Sequence, residues 1–170
     1  MDKQAILTEF EKTFSSLENT ITLFNNEDFN TIPFEESWTP AQVVQHILLS
    51  IENFPSVLTG KTEETNRPID KFIPTLKDIF LNFQTKMKSP DFIKPTLKDY
   101  DLDEQLTKIQ HVSAEIKRAI EKEDLSRTCL GFQFPSLGLI TGLESVYFII
   151  FHTQRHTHQL TEIHRFLKHN

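Results

Sequence analysis

His152 and His156 stand four residues apart in Phe151-His152-Thr153-Gln154-Arg155-His156-Thr157-His158-Gln159-Leu160. At about 3.6 residues per turn, that spacing projects two imidazoles side by side from one helix face, and Gln159 shares the face. Two imidazoles so placed can chelate one divalent metal ion, which then needs one or two more ligands from elsewhere.

A third ligand has to come from the remaining histidines. His158 lies about 240° around the helix from His152, and His164 about 120°, at roughly 100° per residue, so both point elsewhere. His169 sits at a helix end, and His111 falls between the apolar positions of its stretch and reads as surface. His46 differs. It lies among Val43, Ile47 and Leu49 and shares a helical face with Gln42, Ser50 and Asn53. An inward imidazole with polar neighbours above and below is a candidate ligand. Periodicity leaves open whether its helix faces the one carrying His152. A pair at i, i+4 can equally be solvated or be hydrogen-bonded core groups.

The elements that position these residues read as helices, because apolar residues recur at three- and four-residue spacing. Ile6, Phe10, Phe14, Leu17, Ile21 and Phe24 mark a helix from 3 to about 25, followed by a turn-like stretch with Asn25-Asn26 and Pro33. The second helix opens at Thr39-Pro40-Ala41-Gln42, with Thr39 as N-cap, Pro40 in the first turn and Gln42 completing a capping box. It runs through His46 to about Leu58, with Pro55 loosening its last turn and Gly60 stopping it. Residues 61–69 read as a loop, 70–88 as a short helix around Pro74, 89–96 as an extended connection and 102–123 as a long helix. Residues 126–140, with Gly131, Pro135 and Gly138, read as irregular, and no alternating strand pattern stands out. The last helix opens on a second capping box, Thr141 to Glu144, and continues to about Leu167. The sum is an all-α four-helix bundle with a short extra helix, in one domain over residues 1–170.

Composition narrows the partners. Eighteen Lys and Arg are interspersed with 24 Asp and Glu, for a net charge of -6. That balance offers no basic face for nucleic acid. Gly-rich phosphate loops are absent. The amino-terminal residues lack an apolar targeting core, and the longest apolar run, Val146 to Phe151, is too short to cross a bilayer. The single cysteine, Cys129, rules out an internal disulfide and a thiolate metal site, and reads as inert. Fifteen phenylalanines read as bundle core, and Trp38 as a seal at the bundle end. Glu144 is two turns before His152 but about 80° off its face, so it is no general base. The expected protein is soluble and cytoplasmic, with neither nucleic-acid nor membrane partner.

Two motifs together resemble the DinB/YfiT-like superfamily of metal-dependent enzymes. Trp38-Thr39-Pro40-Ala41-Gln42-Val43-Val44-Gln45-His46 is similar to the family's W-[ST]-x-x-[EQ]-[VI]-x-x-H, and His152, His156 and Gln159 match its H-x-x-x-H-x-x-Q, with Arg155 at a frequently basic position. Phe92-Ile93-Lys94-Pro95 and Phe134-Pro135-Ser136-Leu137-Gly138 extend the likeness over nearly the whole chain. The resemblance implies that His46, His152 and His156 are the metal ligands, and that the helices run up-down-down-up with the metal near one end. Where some relatives carry glycine, this chain has His158.

Three imidazoles on a divalent ion, zinc or nickel, leave positions open for water or substrate. The resemblance implies a small-molecule transferase using a low-molecular-weight thiol, or a hydrolase. Gln159 and Arg155 would support the ligands or orient substrate. The alternative is a non-catalytic bundle whose metal is structural and which acts through formation of a homodimer.

Overall fold

The computed structural model of the chain describes residues 2–169. Helix α1 (Lys3–Ile21) is capped by Asp2, whose carboxylate accepts the Gln4 and Ala5 amides, and it buries Ile6, Phe10, Phe14, Leu17 and Ile21. It ends before Phe24, and the stretch read as a turn holds a short helix, α2 (Asn26–Asn30), capped by Asn25. Helix α3 (Pro40–Ile51) opens on the expected reciprocal box. The Gln42 amide donates to Thr39 Oγ1, and the Thr39 amide donates to Gln42 Oε1.

The helix then breaks instead of loosening at Pro55. A new helix, α4 (Phe54–Thr59), carries Pro55 in its first turn, where a missing amide donor has no helical partner to lose. Helix α5 (Ile73–Leu81) uses Pro74 in the same way and is shorter than the 70–88 read from spacing. A 3-10 turn, Asp91–Ile93, interrupts the connection to α6 (Leu102–Lys122). Helix α7 (Gly142–His169) completes the set.

The helical expectation holds in the main, and the structure adds a small sheet to it. The loop at 61–69 contains strand β1 (Thr62–Glu63), and the irregular stretch is a hairpin of β2 (Thr128–Phe134) and β3 (Gly138–Thr141). The three strands are antiparallel in the order β1-β2-β3. The pairing passes from Thr128↔Thr141 to Gln133↔Leu139, so β2 contains a register shift. A shift of that kind moves side chains off the two-residue period. The consequence is visible in β2, where adjacent Thr128 and Cys129 are both buried and Leu130 is exposed. The turn between the strands holds Ser136 at φ 73°, and Gly138, which opens β3, has φ 76°, a left-handed region that glycine takes without steric cost.

Helices α1 and α3 each pack against both α6 and α7. Glu11 meets Lys117 and Glu18 meets Gln110, so α1 and α6 pair in opposite chain order. Thr13 meets Gln154 and Phe24 meets His164, in the same order. His46 meets His152 while Phe54 meets Phe148, again in opposite order. Phe54, Phe80, Phe132, Phe134 and Phe148 stack where α4, α5, α7 and the hairpin converge. The reading of all phenylalanines as core is corrected at Phe34, Phe83, Phe92 and Phe166, which are exposed. Among the described residues, no helix is long and apolar enough to cross a membrane.

Candidate metal centre

Two helices bring three imidazoles together. The Thr39 cap sets the start of α3, and two turns of helix later His46 is buried against α7. The Thr141 box sets the start of α7, where the Glu144 amide donates to Thr141 Oγ1 and the Thr141 amide to Glu144 Oε2. Three turns on, α7 presents His152, which is buried, and His156, which is half-buried. Ring centroids lie 5.1 Å apart for His46 and His152, 4.7 Å for His46 and His156, and 4.5 Å for His152 and His156. One nitrogen from each ring falls within 4.8 Å of the others, and among the described residues no carboxylate or thiol joins the group.

Hydrogen bonds behind the rings fix two tautomers. His46 Nδ1 lies 2.9 Å from the Ile93 carbonyl oxygen, so Nδ1 holds the proton and Nε2 presents a lone pair. His156 Nδ1 lies 2.8 Å from Gln159 Oε1, with the same result. His152 Nε2 is 3.2 Å from His46 Nε2, while its buried Nδ1 has no partner. The lone pair of His46 Nε2 therefore faces His152 Nε2, in a group where each ring has one nitrogen within 4.8 Å of the others.

Burial keeps all three rings neutral. It lowers the His46 pKa from 6.5, against an opposing pull from the Ile93 bond. For His152 burial acts first, then the charges of His156, His46 and Arg155, and the pKa falls well below 6.5. For His156 burial and then His46 press the pKa to about 3, against the Gln159 bond. Neutral imidazole is the form that binds a metal ion.

These observations fit a divalent cation. Two nitrogens at adjacent tetrahedral positions, each about 2.0–2.1 Å from zinc, are about 3.3 Å apart, close to the 3.2 Å between His46 Nε2 and His152 Nε2. Three neutral nitrogen donors suit zinc or nickel and not the oxygen-preferring magnesium or calcium. Trp38 packs 5.2 Å from the His46 ring, and Phe80 and Phe148 pack 5.6 Å and 5.5 Å from His152. Those rings shield the back of the cluster from water, which leaves its accessible side at half-buried His156.

The other sequence candidates fall into place. Gln159 orients His156 from behind. Arg155 donates to the Phe80, Asn82 and Thr85 carbonyl oxygens, so its guanidinium is spent on the protein's own backbone. His158 is exposed, as its angle predicts, and stacks 4.1 Å from Phe83. Gln42 and Ser50, which share the His46 face, serve the backbone: Gln42 in the cap, and Ser50 by donating to the His46 carbonyl. Glu144 is wholly buried with both oxygens bonded, to Arg67 and to the Phe72 and Thr141 amides. Cys129 is buried, and that burial raises its thiol pKa. Sequence reading missed the Ile93 carbonyl, because main-chain acceptors leave no mark in residue types.

Over 98% of this chain and 87% of the other, the fold is similar to YfiT from Bacillus subtilis, described as a probable metal-dependent hydrolase with an unusual four-helix bundle topology. The TM-score is 0.63 and the sequence identity 19%, a likeness of fold. No curated protein matches the sequence. The DinB superfamily sequence profile matches residues 9–160, which takes in both capping boxes and all three histidines, and the chain belongs to the DinB superfamily.

Proposed function

We propose that His46, His152 and His156 hold a divalent metal ion, zinc or nickel, and that the chain is a metal-dependent enzyme acting on a small molecule. The observation that carries this reading is the meeting of three neutral imidazoles whose nitrogens lie within 4.8 Å, two of them with lone pairs aimed by Ile93 and Gln159. Three protein ligands are the mark of sites that keep a position open for chemistry. A divalent ion there supplies Lewis acidity toward a substrate oxygen, a thiol or water. The chain's own residues aim the donors, exclude water behind them and keep the imidazoles unprotonated.

Hydrolysis, or transfer to a low-molecular-weight thiol, is the reaction class this site suits. The description of YfiT makes hydrolysis the first to test. In the same reading the helices run up-down-down-up, supported by the chain order in which α1, α3, α6 and α7 pair. One observation favours a structural ion in a non-catalytic bundle: among the described residues, no carboxylate stands with the histidines.

Chelation separates the two. The untagged chain is stripped of metal, reloaded with zinc or nickel, and assayed against small esters, amides and thiol-transfer substrates. Turnover lost on stripping and restored on reloading supports the enzyme. A fall in melting temperature with no metal-dependent turnover supports the structural ion.

A further inference from the structure

Residues 82–88 are exposed and leave the end of α5 without helical bonds of their own. What holds them is α7. Arg155 donates through one nitrogen to the Phe80 and Asn82 carbonyls, at 3.2 and 3.0 Å, and through the other to the Thr85 carbonyl. Phe83 stacks on His158 of the same helix, with an interplanar angle of 22°. Six residues after Phe83 the chain reaches α3. Ser89 Oγ lies 3.4 Å from His46 Nδ1, and the Ile93 carbonyl accepts the proton of that nitrogen. The segment therefore crosses from the helix carrying His152 and His156 to the helix carrying His46.

We propose that Arg155 is a positioning residue: it fastens residues 82–93 as a strap across the centre, and through that strap sets the orientation and tautomer of His46. The choice of arginine follows from the acceptors. Three carbonyls spread along a helix end and the turn after it need a planar fork of donors, and a cation suits the negative end of a helix. No carboxylate competes for it in these bonds. Its α-helical position, between the two histidines of α7, puts the fastener inside the site it secures. This rests on the metal reading only for its effect on metal affinity, because the strap and the His46 bond belong to the metal-free chain.

The test uses the untagged full chain, with Arg155→Ala, Arg155→Lys, Phe83→Ala and, as control, Arg165→Ala, an exposed residue that pairs with Glu162. Three readouts are taken: trypsin cleavage after Lys86 and Lys88, the nitrogen-15 signals of the His46 ring, and cobalt(II) affinity by visible absorption. For Arg155→Ala we expect cleavage faster by about tenfold or more, since local opening governs it. The His46 signal should move from a single Nδ1–H tautomer to a mixture, and cobalt affinity should fall about tenfold. Arg155→Lys and Phe83→Ala should lie between, and Arg165→Ala should match the parent chain.

A residue that merely caps α5 predicts lower stability with an unchanged His46 signal, and that result overturns the proposal. So does wild-type cleavage in Arg155→Ala. Should that variant not fold, wild-type cleavage and His46 signals in both Arg155→Lys and Phe83→Ala overturn it instead. A parent chain that takes up no cobalt defeats the metal reading, while the cleavage and nitrogen signals still decide the strap.

Discussion

The Ile93 carbonyl and Gln159 Oε1 each hold one imidazole by its Nδ1, whereas the Nδ1 of His152 is buried without a partner and its Nε2 meets His46 Nε2. Removing Gln159 Oε1 leaves a nitrogen donor unpaired and frees the His156 ring to turn. Gln159→Leu should therefore weaken metal binding by about 10–100-fold, read by competition with a chromophoric chelator. Titration provides a second prediction. The three rings have folded pKa values below the ordinary 6.5, to about 3 for His156. As pH falls below 6.5, the unfolded chain takes up protons that the folded chain refuses, so stability of the metal-free protein falls. The expected slope is up to about 1.4 kcal/mol per pH unit for each ring between pH 6.5 and that ring's folded pKa, which for His156 is about 3. Urea unfolding at pH 7 and pH 5 measures it, and equal midpoints would mean that the rings are not buried neutral.

At the scale of elements, the start of α7 is tied to the loop before α5 by an ion pair between buried Glu144 and half-buried Arg67. Both Glu144 oxygens accept from Arg67, and they also receive the Phe72 and Thr141 amides. Glu144→Ala leaves two amides and a half-buried guanidinium without their acceptor, and should cost about 2–4 kcal/mol in urea unfolding. Thr39→Ala removes only the α3 cap and should cost about 1 kcal/mol. The Thr39 and Thr141 caps were legible because a hydroxyl at one position and a carboxamide or carboxylate three later satisfy amides within the same turn. The arginine opposite Glu144 was not, since a partner 77 residues away leaves no local spacing. Strand β2 hid for a different reason: its register shift removes the alternation by which strands are read.

For the whole molecule, the helical stripe of α1 predicted which of its faces is buried, because burial follows the helical period. What periodicity could not supply was the meeting of α3 with α7. His46 looked inward, but its approach to His152 depends on how the hairpin, α4 and α5 pack around Phe148. The three ligand candidates were thus legible as types and faces, and their convergence only as a resemblance.

The central claim is that this convergence binds metal, and metal analysis of the untagged chain tests it most directly. Elemental analysis after purification without added metal or histidine tag should find about one zinc or nickel per chain. The His46→Ala and His156→Ala double variant, folded by circular dichroism, should carry none. Absence of stoichiometric metal from the parent chain even after incubation with zinc and nickel, or equal metal in the double variant, would contradict the account.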